Sequence, residues 1–325
     1  MIGFSVAIVV GLSLLVWSAD KFVLGAAATA KHLGMPSLLI GMVVVGFGTS
    51  APEMVVSAIA ALEGNPGLAL GNALGSNIAN IGLILGLTAL LAPIAVHSSV
   101  VRKEMPILLV VSVLIGLLMC DGALGRIEGI GLFVLLCLIM GWSVVSAISS
   151  RGDNLEEESD EVAEASRLTL GKAIMWLSVG LALLVVSSRI LVWGAVGVAQ
   201  SFGVSDLIIG LTIVALGTSL PELAASIAAV KKGEHDLALG NVVGSNLFNT
   251  LAVIGIAAMV APMESISPDI MGRDWPMMLG ITVLLFIMAY SWRGRKISIT
   301  RLEGFGLLAL YLGYNGVLVY SVLGA

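Results

Sequence analysis

Two short phrases carry the polar chemistry of this chain. The first, Gly48-Thr49-Ser50-Ala51-Pro52-Glu53, sets a carboxylate, two hydroxyls and a proline inside a long apolar run, and it returns as Gly217-Thr218-Ser219-Leu220-Pro221-Glu222. Each copy is followed by a second phrase, Gly71-Asn72-Ala73-Leu74-Gly75-Ser76-Asn77-Ile78-Ala79-Asn80 and Gly240-Asn241-Val242-Val243-Gly244-Ser245-Asn246-Leu247-Phe248-Asn249. The register is constant: Thr49 and Thr218, Glu53 and Glu222, Asn77 and Asn246, and Asn80 and Asn249 are all 169 positions apart (218 − 49 = 169).

These residue types suit a hard cation. Pro52 and Pro221 lack an N–H and free carbonyls about four residues upstream, near Gly48 and Gly217. In lipid such carbonyls must find partners, and a bound cation is one. Thr49, Ser50, Thr218 and Ser219 add neutral oxygens, and Glu53 and Glu222 add formal charge. Two carboxylates brought together among neutral oxygens suit a divalent ion, and calcium takes about six to eight oxygens in a flexible cage. No sulfur or imidazole is offered, so zinc and copper fit poorly.

The second phrase has two uses. Gly71, Gly75, Gly240 and Gly244 are small residues four apart, which let membrane helices approach closely. Asn72, Ser76, Asn77 and Asn80, with Asn241, Ser245, Asn246 and Asn249, then present polar atoms to a neighbour. The third helix is expected to pack its phrase against the break in the second, and the eighth against the seventh. A single small-residue pair or a single membrane proline usually serves packing or a kink. Recurrence of carboxylate, hydroxyls, breaker and asparagines in one register argues for function, since buried charge in a membrane is costly.

The elements that must position these residues are membrane helices. The chain has 325 residues, 58% hydrophobic and 11% charged, with a mean hydropathy of +1.07. A soluble domain carries about 25% charged residues, so this composition predicts an all-α, polytopic membrane protein. A span needs about 20 apolar residues, and ten candidates follow in order: 2–20, 37–61, 68–92, 105–120, 127–148, 172–198, 206–230, 237–261, 275–291 and 303–322. The polar phrases interrupt the second, third, seventh and eighth. The start of the chain has no basic region or small-residue cleavage site, so its first apolar run reads as a retained helix. Cys120 and Cys137 lie in apolar segments and read as buried small hydrophobes.

Seven carboxylates between Asp153 and Glu164 mark a solvated linker, 149–171, between two halves, 1–148 and 172–325. Nothing in the charge pattern suits nucleic acid. Five helices per half is an odd number, so the second half must enter the membrane inverted. Inverted repeats with interrupted helices point to a secondary transporter whose site lies near the midplane. Thirteen of the sixteen Lys and Arg fall on the side of Lys21, Lys31, Lys231 and Lys232, leaving Arg126, Arg189 and Arg273 on the other. The positive-inside rule makes the first side, with the linker, cytoplasmic and both termini periplasmic.

The paired phrases resemble the two alpha repeats of the calcium/cation antiporter superfamily, most closely the bacterial relatives of sodium/calcium exchangers. The resemblance implies a ten-helix exchanger of the inner membrane whose central cage holds either one calcium or several sodium ions, with no cofactor and no obligate oligomer. It carries over, as ligands, the side chains of Glu53, Glu222, Thr49, Thr218, Ser50, Ser219, Ser76, Ser245, Asn80 and Asn249, with backbone carbonyls near Gly46 and Ala215. It also implies that the first and sixth helices slide past this core. Potassium-dependent exchangers are acidic at the position of Asn249, whereas Asn80 and Asn249 are both amides here, which argues against potassium dependence. The function expected is calcium export against sodium by a transporter and not an enzyme. Proton/calcium exchange is the alternative, and a calcium-permeable channel is the reading from another class.

Overall fold

A computed structural model describes residues 2–96, 103–149, 168–202, 215–290 and 297–323. Most of the acidic linker, the stretch 206–214 of the seventh expected span, and Arg102, Arg151, Arg167, Arg293, Arg295 and Lys296 lie outside the described residues. The chain forms α1 (Ile2–Leu33), α2 (Ser37–Thr49), α3 (Ala51–Leu62), α4 (Pro66–Leu91), β1 (Ile94–Val96), α5 (Met105–Leu118) and α6 (Arg126–Ser149). It continues through α7 (Leu170–Ser201), α8 (Ala215–Thr218), α9 (Leu220–Lys231), α10 (His235–Val260), α11 (Ile270–Ala289), β2 (Ile297–Ile299) and α12 (Arg301–Leu323). Among the described residues seven helices are long and apolar enough to cross a membrane, and eight if α2 and α3 count as one bent span.

The expected first span, 2–20, is too short. Asp20-Lys21 looks like an end in hydropathy, yet α1 runs on to Leu33. Asp20 is paired with Lys232 at 2.6 Å, and the segment from Gly25 to Ala30 is alanine-rich and buried. Alanine is the best helix former. Gly34, with φ of 59°, then ends the helix in the left-handed region that glycine tolerates.

α1 lies antiparallel to α7. Gly11 abuts Leu191, Gly180 abuts Phe22, and Gly25 abuts Leu177, so the order along one helix reverses along the other. Glycine at each contact lets the two backbones come close, which is how membrane helices associate without a hydrophobic driving force.

The proline phrases do break their helices. α2 ends at Thr49, α3 starts at Ala51 with Pro52 in its first turn, and the two axes bend by 43° at Ser50. Ser219 separates α8 from α9 in the same manner, with Pro221 in the first turn. Proline is tolerated there because first-turn N–H groups have no intrahelical partner anyway. α4 and α10 differ from expectation, being continuous over 26 residues each. They accommodate Asn80 and Asn249 in widened π-helical turns, Asn80–Leu85 and Asn249–Val253. Such turns keep the backbone bonded while rotating the side chains around them, and they recur at functional sites.

α4 and α10 form the centre. Most of α10 is buried, whereas α12 buries one face, at Gly304, Leu307 and Tyr311, and shows leucine, valine and tyrosine on the other. The first half of the chain closes on the second. Gly86 of α4 lies against the carbonyl of Gly304 on α12, and Gly129 of α6 against that of Gly255 on α10. The all-α expectation misses one feature: β1 pairs antiparallel with β2, Ile94 opposite Ile299, and an isolated bridge joins Leu124 to Met263. These links sit where a chain leaving a helix has backbone groups still to satisfy. Cys120 and Cys137 are exposed and free, not buried as expected. An apolar surface in contact with lipid accepts them as readily as a core does.

Candidate cation-binding site

Glu53 and Glu222 stand in the first turns of α3 and α9, where the helix N-terminus favours negative charge. Both are 2% exposed, and each has one carboxylate oxygen, Oε2, with no hydrogen-bond partner. Ser50, three positions before Glu53, reaches across to the other carboxylate. Ser50 Oγ donates to Glu222 Oε1 at 3.5 Å, and Thr49 lies beside the same carboxylate. Thr49 Oγ1 is 3.0 Å from the carbonyl of Val45 and 3.1 Å from Asn241 Oδ1. Ser219 is buried at the second break, and Thr218 is half-buried beside it. The backbone of Ala215 begins α8.

The asparagine phrases meet across the two halves. Asn80 Nδ2 donates to Asn246 Oδ1 at 2.9 Å, and Asn77 Nδ2 donates to Thr250 Oγ1 at 2.7 Å. Ser76, Ser245 and Asn249 are all buried, and Ser245 Oγ and Asn249 Oδ1 have no partner. Gly46 lies against the backbone of Ser245, in the second phrase of the other half, and its own carbonyl accepts the Ser50 N–H at 3.0 Å. Buried oxygens are nearly always hydrogen-bonded. Five left without a donor in these phrases, two of them carboxylate and one of them Asn77 Oδ1, make an environment that a cation completes. Among the described residues no three His, Cys, Asp or Glu side chains come together, so any ion here would be held mainly by neutral oxygen.

The packing expected of the glycines holds in part. Gly240 and Gly244 lie against the backbone carbonyls of Leu38 and Met42 in α2, a helix of the other half. A Cβ at Gly71 or Gly75 would meet no neighbouring element within 4 Å among the described residues, and the positions equivalent to Leu38 and Met42 lie outside them. Within each half the phrases are tied by Asn72 donating to Ser57 Oγ at 3.1 Å and Asn241 donating to Ser226 Oγ at 3.0 Å. Asn241 also donates to the Glu222 carbonyl at 3.2 Å. The sequence reading missed Ser57 and Ser226. Their signal was present: both follow the glutamate by four residues, one helical turn, and share the 169 register. It also missed Ser188, which donates to the Gly217 carbonyl at 2.7 Å and so takes up one of the oxygens that Pro221 releases.

Two broken helices, each with a buried carboxylate in the turn after its break, and unpartnered oxygens on the central α10 define a multi-pass membrane protein with a candidate cation site. Residues 4–145 and 172–320 match the sodium/calcium exchanger protein family, and the chain belongs to that family of transporters. It is 42% identical to the inner membrane protein YrbG of Escherichia coli, over 92% of this chain and 93% of that one. It is 31% identical to the sodium/calcium exchanger MaX1 of Methanosarcina acetivorans, over 96% and 97%. Among solved structures it superimposes on the sodium-calcium exchanger NCX_Mj soaked without sodium or calcium, with a TM-score of 0.83, 30% identity, and 98% and 99% of the two chains covered.

Proposed function

We propose that this protein is a secondary antiporter that exchanges calcium for sodium by alternating access, independently of potassium. One observation carries the reading. Glu53 and Glu222, from different halves, are both buried with an unpartnered oxygen at a helix break, and α10, which packs on α9, adds unpartnered oxygens of Ser245 and Asn249. Calcium would be held by both carboxylates and the hydroxyl, amide and carbonyl oxygens of Thr49, Ser50, Thr218, Ser219, Ser76, Ser245, Asn80, Asn249, Gly46 and Ala215. Sodium ions would compete for the same oxygens. Exchange instead of leak follows, because two uncompensated carboxylates resist crossing the membrane barrier.

In this reading ten spans form two inverted five-helix repeats, 1–148 and 172–325, joined by the cytoplasmic linker 149–171 with both termini periplasmic. The 169 register, the antiparallel α1 and α7, and the paired contacts Gly86–Gly304 and Gly129–Gly255 support it. The relatives named for sodium/calcium exchange support the choice of ions, and the inner membrane relative supports the location. Proton coupling is the second reading, favoured by the two buried carboxylates, each with an unpartnered oxygen that a proton would satisfy as well as a cation.

The test is calcium-45 uptake by proteoliposomes under imposed sodium, proton or potassium gradients, beside Glu53→Gln and Glu222→Gln. Uptake driven by sodium and lost in both variants is the expected result. Uptake driven only by protons moves the coupling ion, and flux without any counter-gradient points to a channel.

A further inference from the structure

The two halves share a register but not a state. α1 packs along α9, and Asp20 of α1 meets Lys232, just beyond the end of α9, at 2.6 Å. The equivalent elements are α7 and α3, and α7 does not pack along α3 in this way. Val55 and Ile59 on α3 are left 53% and 49% exposed, while Ala224 and Ala228, their counterparts on α9, are partly covered.

The residues equivalent to the Asp20–Lys232 pair are informative. Position 20 plus 169 is Arg189, and position 232 less 169 is Glu63. The pair is thus repeated with its charges exchanged: acid on α1 and base after α9 in one place, base on α7 and acid after α3 in the other. Arg189 and Glu63 are both exposed and are not in contact with each other. A mid-helix cation on an apolar membrane helix is costly without a partner, so Arg189 calls for one.

We propose that Asp20–Lys232 and Arg189–Glu63 are alternating latches, each closing one face of the transporter, and that the structure shows the first fastened and the second open. The inference rests on the alternating-access reading above. α1 and α7 are locked together by their glycine contacts, so a shift of that pair against α3 and α9 separates Asp20 from Lys232 while carrying Arg189 toward Glu63. The two latches do not short-circuit each other. Gly11 faces Leu191 and Phe22 faces Gly180, which puts Asp20 and Arg189 about two turns apart along the α1–α7 pair.

The latches are tested in reconstituted protein with Cys120 and Cys137 replaced by Ala. The cysteine pairs Asp20→Cys/Lys232→Cys and Glu63→Cys/Arg189→Cys are treated with a short bifunctional thiol reagent, and Ile59→Cys is labelled with a membrane-impermeant one. Both pairs are expected to cross-link. Lys232→Glu should lower labelling at position 59 and Glu63→Arg should raise it, each by about two- to fivefold, the population shift that a partly exposed ion pair produces. Asp20→Lys should rescue the first variant and Arg189→Glu the second. The proposal is overturned if the 63/189 pair never cross-links, or if both reversals move labelling in one direction, as general loosening would. These readouts need no calcium flux, so latches that behave as expected in a protein that moves no calcium reject the transport reading alone.

Discussion

Asn241 Oδ1 lies 3.1 Å from Thr49 Oγ1, although 192 residues separate them in the chain. The same amide donates through Nδ2 to the Glu222 carbonyl and to Ser226 Oγ. One buried side chain therefore fixes the broken end of α2, the start of α9 and the face of α10 at once.

Asn241→Ala is expected to lower calcium affinity about tenfold, since removing a buried group that satisfies several others costs about 1–3 kcal/mol. Asn72→Ala should do less, because Asn72 is only partly buried and, among the described residues, is tied to Ser57 alone. Calorimetric titration of the two purified variants with calcium checks the order.

Glu53→Gln and Glu222→Gln should each abolish calcium exchange while leaving a folded protein. Without cations they should also raise the melting temperature by a few degrees, about 1–2 kcal/mol, because a buried charge without a partner destabilises the fold. Calcium should no longer shift the melting temperature of either variant. A thermal scan with and without calcium reads both effects.

Asn249→Asp places a third carboxylate where Asn249 Oδ1 now has no partner. Calcium binding should tighten about tenfold, and sodium should displace calcium less readily, since charge count tunes divalent affinity. Competition of sodium against bound calcium-45 measures the balance.

Gly240→Ala and Gly244→Ala each drive a methyl group into the carbonyl of Leu38 or Met42. Overpacking of this kind costs about 1–3 kcal/mol, so both variants should melt lower and exchange more slowly. Gly131→Ala, where the added methyl group would meet no described neighbour within 4 Å, should match the parent in a thermal scan.

Composition, covalent geometry and the repeat settle the solvent, the breaks and the chemistry on offer before any fold is known. So apolar a chain demands lipid, and Pro52 and Pro221 act on their own neighbours, so the breaks at Ser50 and Ser219 were legible from local sequence. The 169 register likewise needs only the chain, and it carried Ser57 and Ser226 unnoticed. Contacts between distant segments settle the rest. Hydropathy ends α1 at Asp20 because it counts a charge as a boundary, whereas Asp20 pairs with Lys232, 212 positions on (232 − 20 = 212), and the alanine-rich stretch after it carries the helix on. Gly240 and Gly244 mark a close approach in any reading, but their partner is α2 of the other half, which no local pattern specifies. Most of all, two halves with one sequence pattern are symmetric on paper, and it is the packing of α1 on α9, without its counterpart of α7 on α3, that breaks the symmetry. A repeat fixes which contacts are possible; the free energy of the whole assembly selects which of them form together.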